Sequence, residues 1–215
     1  MKAAERAYRL LREEILLGRF GPGDRVTEKE ITELAEVSRT PVREAMRRLE
    51  AEGLIQFVPN QGAFVRRLAR DEARHIFELR ARLESLAVRL AADNASDQQR
   101  KALQQLAERQ LSVSQTRRRG YLNRITEMNT QFHETLIDAA NSDLLRASLA
   151  PLGNLPIVLQ TFRDYSSEDL ERSARHHVEI ASAISEGDPD WAAAVMRTHI
   201  YAAREVFRRR AGGTD

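Results

Sequence analysis

The chain has 215 residues and nearly balanced charge, with 34 lysines and arginines against 32 acidic residues and a net charge of +2. Its 42% hydrophobic and 31% charged content predicts one or two folded domains and excludes a disordered chain. The absence of cysteine excludes disulfides and thiolate metal sites, and it agrees with a cytoplasmic location. No segment approaches the roughly 18 apolar residues of a membrane span, and the charged N-terminus has no apolar signal core.

The basic charge is concentrated in the first third of the chain. Residues 1–70 hold 14 lysines and arginines against 11 acidic residues, whereas the remainder holds 20 against 21. Any nucleic-acid contact is therefore expected in the N-terminal third, on particular faces and not on a polybasic tail.

Two short helical patterns open the chain. Ala4–Leu17 is predicted to be an amphipathic helix, and Gly21–Asp24 is a turn cluster. Thr27 and Glu30 have the spacing of a capping box, which starts a second helix ending near Glu36. The positions predicted to face inward in these helices are Tyr8, Leu11, Ile15, Ile31, Leu34 and Ala35.

A third helix is predicted within Ser38–Leu54, with Thr40 as its cap and Pro41 at its first position. Its inward stripe is Val42, Ala45, Met46, Leu49 and Leu54, and the arginines off that stripe are Arg39, Arg43, Arg47 and Arg48. Arginines near the start of such a helix suit a DNA major groove, where they bond guanine edges or phosphates. The alternative is an ordinary surface helix with a solvated basic face.

A hairpin is predicted next, from β-prone runs at Ile55–Val58 and Ala63–Arg66 around the turn Pro59–Gly62. By itself it is equally a structural corner. Directly after a helix that carries arginines, it is better interpreted as a wing that reaches DNA. The three helices and the hairpin together predict a winged helix-turn-helix.

These segments resemble the DNA-binding domain of the GntR family of bacterial transcription regulators. The resemblance covers about Ala4 to Arg67 and is carried by Pro22-Gly23, Ser38–Ala45, Leu49–Leu54 and Pro59–Val65. It implies a DNA-binding domain over residues 1–67. The positions it assigns to operator phosphates and bases are Lys29, Ser38, Arg39, Thr40 and Arg43, and those it assigns to the minor groove at the wing tip are Gln61 and Gly62.

Residues 68–210 carry long helical patterns and predict an all-helical bundle of six or seven helices, followed by a flexible tail at 211–215. The fold class is therefore mainly α. The predicted helices are Ala73–Ala92, a second from the capping box Ser96–Gln99 to Gly120, Tyr121–Ala140, Leu144 to about Phe162 with a kink or break near Pro151 and Pro156, Ser167–Glu186, and Pro189 to about Arg210. The inward stripe predicted for the first is Ile76, Leu79, Leu83, Leu86, Ala87 and Leu90.

Histidines occupy apolar positions in three of these helices. His133, His177 and His199 each interrupt an inward stripe, and Asn129 lies one turn before His133. A buried imidazole needs a partner, and a shared divalent metal of the Zn, Ni or Mn type would satisfy all three. Three separately satisfied core histidines are the alternative. The remaining two, His75 and His176, lie off the stripes and are predicted to be exposed.

This second region resembles the FCD domain, the effector-binding domain of the FadR subfamily. The resemblance rests on Asn129–His133, Ala139–Asn141 and the patterns around His177 and His199. It implies a metal held by one Asp and three His, with a small carboxylate effector, a sugar acid or organic acid, completing the coordination. Asn129 stands in the Asp position, and this departure weakens one expected ligand.

An arginine on the first bundle helix has a role implied only by this resemblance. In the family an arginine of this helix can bind the effector carboxylate, and Arg80 occupies that place. From the sequence alone, Arg80 is better explained as a surface charge.

The function predicted from these features is a homodimeric repressor that binds operator DNA and responds to an effector, and not an enzyme. Two alternatives stay open. One is a DNA-binding regulator that needs no effector and uses the histidines structurally. The other is a metal-dependent hydrolase, which would leave the winged domain unexplained.

Overall fold

The computed structural model describes residues 2–67, 70–153 and 164–212. The chain divides into two compact units near residue 69. No helix among these described residues is long and apolar enough to cross a membrane.

The first unit is a winged helix-turn-helix, as predicted. Its elements are α1 (Ala3–Leu16), β1 (Arg25–Val26), α2 (Glu28–Ala35), α3 (Arg39–Ala51), β2 (Ile55–Val58) and β3 (Gly62–Val65). The strands form an antiparallel sheet in the order β1-β3-β2. The predicted capping box of α2 is present, since Thr27 accepts from the backbone of Glu30 and the Glu30 side chain bonds back. The two-residue strand β1 was not predicted.

The core of this unit joins all three helices to the sheet. It is lined by the residues Ala7, Leu11, Ile15, Val26, Ile31, Ala35, Val42, Ala45, Met46, Leu49, Leu54, Ile55, Ala63 and Val65. The predicted stripe of α3 is therefore confirmed. Leu34, which was expected to face inward, is 47% exposed. The buried residues of α2 are Ile31 and Ala35, which lie four residues apart on one narrow strip of the helix, and Leu34 lies beside that strip.

The start of α3 differs from the prediction. The helix begins at Arg39, Ser38 is its N-cap residue without a side-chain cap bond, and Thr40 lies inside the first turn. The predicted Thr40 cap is therefore wrong. Pro41 is the third helical residue, where a missing N–H still costs nothing because the first four amides have no partner within the helix.

The second unit is helical throughout its described part. Its helices are α4 (Arg70–Asn94), α5 (Asp97–Thr116), α6 (Tyr121–Ala139), α7 (Asp143–Gly153), α8 (Ser167–Glu186) and α9 (Pro189–Gly212). These six agree with the predicted bundle, and α4 packs along α9 while α5 packs along α8 and α6. The capping box of α5 is confirmed, but α5 ends at Thr116 and not at Gly120, which instead precedes α6.

Two outcomes concern the helix predicted to be kinked and the buried face of α4. Pro151 lies inside α7, and the predicted continuation through Pro156 to Phe162 falls outside the described residues. The inward stripe predicted for α4 was partly wrong, because Leu79 and Leu86 are 49% and 46% exposed. The buried face of α4 carries many alanines and two charged residues beside a few large apolar side chains: Ala73, Ile76, Phe77, Arg80, Ala81, Glu84, Ala87, Val88, Ala91 and Ala92. Its alanines let neighbouring helices approach closely, which a row of leucines would not allow.

Candidate DNA-binding surface and metal centre

The arginines of α3 have different roles. Arg47 stacks on the ring of Phe57, 4.5 Å from its centroid, and pairs with Glu50 at 2.9 Å. Arg48 lies 3.6 Å from the centroid of the Tyr8 ring in α1. These two side chains therefore hold α3 against the wing and against α1, and they are poorly placed to serve as base-reading groups.

Arg43 is presented differently. Its Nε donates to the carboxylate of Glu28 in α2 over 2.6 Å, and this hydrogen bond raises the pKa of Arg43 above its usual value. The ion pair uses Nε and leaves both terminal NH₂ groups outside it. Those two groups form the edge of the guanidinium that bonds guanine or a phosphate bidentately. Glu28 was not singled out from the sequence, because its partner is 15 residues away.

The other predicted DNA contacts lie on the surface of the same unit. Lys29, Ser38, Arg39 and Thr40 are all exposed, and the Lys29 amine is only 4.0 Å from Glu33. Lys29 lies in the first turn of α2, and the other three lie at the start of α3. The structure thus leaves them accessible, and their contact with DNA stays a prediction.

The predicted wing tip is also exposed. Gly62 has a φ of 105°, a conformation that side-chain-bearing residues rarely adopt, and Gln61 precedes it at the end of the turn. A Cβ added at Gly62 would lie 3.5 Å from the guanidinium of Arg25. Arg25 is therefore an additional cation at the wing, and the sequence did not indicate it because strand β1 was missed.

The three predicted metal-ligating histidines come together in the second unit. Candidate nitrogen atoms of His133 on α6, His177 on α8 and His199 on α9 all lie within 4.8 Å of one another. His177 and His199 are buried, and burial holds the pKa of each imidazole well below its usual value. Both rings are therefore neutral, which is the form that binds metals.

Several buried polar atoms around this cluster lack a hydrogen-bond partner among the described residues. They include Asn129 Oδ1, His177 Nε2 and His199 Nδ1, and also Glu84 Oε2 and His176 Nδ1. Unsatisfied buried polar atoms are costly and require an explanation. A divalent ion that accepts lone pairs from imidazole nitrogens and an amide oxygen fits this donor set.

A buried ion pair lies directly behind the cluster. Arg80 Nε donates to Glu84 Oε1 over 2.7 Å, and Glu84 Oε2 is 2.8 Å from His133 Nδ1. Glu84 and His133 are therefore close enough to form an ion pair, but their geometry is not that of a hydrogen bond. Burial alone would raise the pKa of Glu84, but Arg80 and His133 outweigh it and lower this pKa to about 2. Arg80 is only 7% exposed, so the alternative interpretation of this residue as a surface charge is wrong.

His176 was predicted to be exposed, and this is wrong. Its ring is half-buried, with its centroid 5.9 Å from that of His199, because the α8 surface beside His177 also faces α9. His75 is exposed, as predicted. Glu84 and Gln110, which contact the cluster, were not identified from the sequence. For Glu84 the reason is that the apolar stripe of α4 was placed on its leucines.

Comparisons with known proteins agree with this division. The family model described as "Bacterial regulatory proteins, gntR family" matches residues 3–65, and that of the "FCD domain" matches residues 75–202. The chain is 33% identical over 205 residues to a probable D-xylose utilization operon transcriptional repressor of Paenarthrobacter nicotinovorans, covering 94% of this chain and 87% of that one.

Two further similarities come from Escherichia coli. The HTH-type transcriptional repressor RspR is 29% identical over 209 residues, with 95% of this chain and 89% of the relative covered. The solved structure of McbR/YncC superposes with a TM-score of 0.83 over 98% of this chain and 99% of the other, at 20% identity, which supports the shared fold. This chain therefore belongs to the GntR family and is a DNA-binding transcriptional regulator with an FCD domain, not an enzyme.

Proposed function

We propose that this regulator is a cytoplasmic homodimeric repressor that releases its operator when a small carboxylate binds at a divalent metal in the helical domain. The observation that carries the proposal is the convergence of three imidazoles, together with the Asn129 amide oxygen, which lies one helical turn before His133 and has no partner among the described residues. The predicted operator contacts are those at Lys29, the start of α3 and the wing tip. Two relatives are named as repressors, which supports this sign of regulation.

The charge of the site favours an anionic effector. The imidazoles of His177 and His199 and the amide of Asn129 are neutral donors, and the charges of Arg80 and Glu84 offset each other. A bound divalent ion would keep its full charge in a buried place, which is costly unless an anion accompanies it. A carboxylate that coordinates the metal and also bonds the guanidinium of Arg80 would supply that anion. Metal and effector should therefore strengthen each other's binding.

The effector can change the affinity for DNA only if it binds one arrangement of the dimer more tightly than the other, and the two arrangements differ in how well they bind the operator. A hundredfold difference corresponds to about 2.7 kcal/mol, which is within the usual range of allosteric coupling. A sugar acid or another small organic acid is the proposed class, because a metal and one arginine recognise a carboxylate and little else.

The proposal is tested by fluorescence anisotropy of purified protein on its own promoter DNA. We expect binding at least about 10³-fold tighter than to random DNA, falling steeply with salt. Adding Zn²⁺ and the cognate acid from a panel of sugar acids and dicarboxylates should release the operator, and a chelator should restore binding. DNA affinity that is insensitive to metal and to every acid would instead support an effector-independent regulator with a structural histidine cluster.

Thermal unfolding of the same samples gives a second readout. A metal at 100 times its Kd should stabilise the folded state by about 2.7 kcal/mol, a shift on the order of 5–10 °C. Addition of the cognate acid should raise the melting temperature further only when metal is present. A shift produced by the acid in chelated protein would contradict the proposed metal-bound effector.

The proposed dimer interface is an apolar seam on α4. Leucines at positions 79, 83, 86 and 90 have the alternating four-and-three spacing of a helix that packs against another helix. Leu79 and Leu86 are about half exposed, and Leu144 at the start of neighbouring α7 is 80% exposed. A second copy related by a two-fold axis would cover this surface with the same surface of its own.

Leu86→Glu is expected to dissociate the dimer, because it places a charge at the centre of this seam. Light scattering after size exclusion should give the 24.5 kDa monomer mass instead of twice that value. Leu17→Glu is the matched control, since Leu17 is an exposed leucine at 38% that lies just after α1 in the other unit. A Leu86→Glu protein that stays dimeric would exclude this face as the interface.

A further inference from the structure

Gln110 is a buried amide on α5, a helix that carries none of the proposed metal ligands. It is 1% exposed, and its carboxamide lies between two polar groups. Its Nε2 donates to the backbone carbonyl of Ile125 over 3.4 Å, and its Oε1 is 2.5 Å from His177 Nδ1. The Ile125 oxygen only accepts, so the NH₂ end of the amide must face it. The carbonyl end therefore faces His177.

This orientation determines which nitrogen of His177 carries the hydrogen. A neutral imidazole has one N–H, and the nitrogen that meets a carbonyl oxygen must be the donor. Nδ1 of His177 therefore carries the hydrogen, and Nε2 keeps its lone pair. That Nε2 is buried and has no partner among the described residues.

The ring of His177 is also fixed in orientation. It stacks on Phe132 with 4.2 Å between centroids and 12° between planes. On its other sides lie the rings of His199 and His133, at centroid distances of 4.6 and 5.3 Å. A 180° flip of the ring would put Cδ2 in the place of Nδ1, break the bond to Gln110 and bury its oxygen unpaired, which is unfavourable.

We propose that Gln110 is the positioning residue of the metal centre: it fixes the Nδ1-protonated tautomer of His177 and so makes Nε2 the ligating atom. The inference rests on the metal binding proposed above. Glu84 lies 2.8 Å from Nδ1 of another histidine of the cluster, His133, but its charge is offset by Arg80. The neutral amide orients His177 without adding negative charge, so the metal keeps its attraction for a carboxylate effector.

The test compares two variants of Gln110 with the wild type. Gln110→Met keeps the approximate size and removes the strong acceptor, and Gln110→Glu keeps an acceptor for the Nδ1 hydrogen. Competition of Zn²⁺ with a chromophoric chelator should show about a 10- to 100-fold weaker affinity for Gln110→Met. Gln110→Glu should bind Zn²⁺ at least as tightly as the wild type. Gln105→Met is the matched control, because Gln105 is exposed on the same helix.

The tautomer is read independently from long-range ¹H–¹⁵N spectra of histidine-labelled, metal-free protein. Wild-type His177 should show a single Nδ1-protonated form, and Gln110→Met should show a mixture. A wild-type His177 protonated at Nε2 would overturn the inference, and this measurement holds even if a variant does not fold. So would equal Zn²⁺ affinity of Gln110→Met and the wild type. Wild-type protein that shows the expected tautomer and binds no metal would instead refute the proposed metal-dependent function.

Discussion

Arg43→Ala is expected to weaken binding of the operator by about 2–6 kcal/mol while leaving binding to random DNA nearly unchanged. One lost base contact costs about 1–3 kcal/mol, and a two-fold operator loses it twice. Arg43 is suited to such a contact because Glu28 holds its Nε and leaves the terminal NH₂ groups outside the ion pair. Anisotropy titrations on both DNAs at fixed salt measure the effect, which amounts to roughly 30-fold to 10⁴-fold.

The matched control is Arg208→Ala, which removes another exposed arginine that pairs with an acid, here Glu205 at 2.7 Å. It should bind both DNAs like the wild type. An equal loss on operator and random DNA would assign Arg43 to a phosphate instead of a base. Unchanged binding would remove Arg43 from the DNA contacts altogether. Neither variant should change the melting temperature by much, because both side chains are largely exposed.

Phe132→Ala is expected to lower the free energy of unfolding of the helical domain by about 3–5 kcal/mol, the usual cost of removing a buried phenylalanine. Phe132 is fully buried, and its ring forms one wall of the histidine cluster by stacking on His177. The variant should therefore also bind Zn²⁺ more weakly than the wild type. Urea unfolding without metal measures the first effect, and chelator competition in the folded protein measures the second.

Phe77→Ala separates these two effects. Phe77 is also fully buried in the same unit, but its aromatic partner is Phe207, with ring centroids 6.1 Å apart. We expect a comparable loss of stability from Phe77→Ala, with Zn²⁺ affinity close to that of the wild type. If the two variants bind Zn²⁺ equally, stacking on Phe132 does not orient His177.

Features encoded by adjacent residues were predicted well. The capping boxes at Thr27–Glu30 and Ser96–Gln99 are present, and so is the hairpin of the wing. These depend on hydrogen bonds over three residues or on a short turn, so the local sequence is sufficient to predict them. The buried stripe of α3 was also predicted, because helical periodicity places its members on one face.

Faces whose burial depends on distant elements were predicted less well. The leucines of α4 suggested a buried stripe, yet its buried face carries alanines with Arg80 and Glu84. Periodicity identifies an apolar side, but it does not show whether that side meets the core of the same chain or a second copy. His176 was misplaced for a similar reason, since its burial comes from its neighbour His199 on another helix.

The sequence by itself determined the family, the winged domain and the three histidines of the proposed metal centre, because these are carried by motifs and by spacing along single helices. Only the tertiary structure decided which arginines of α3 are engaged in packing and which nitrogen of His177 is available. Arg48 is bound to Glu5, 43 residues away, and His177 to Gln110, 67 residues away. Such bonds form only when separate helices pack together, so no local pattern in the sequence encodes them.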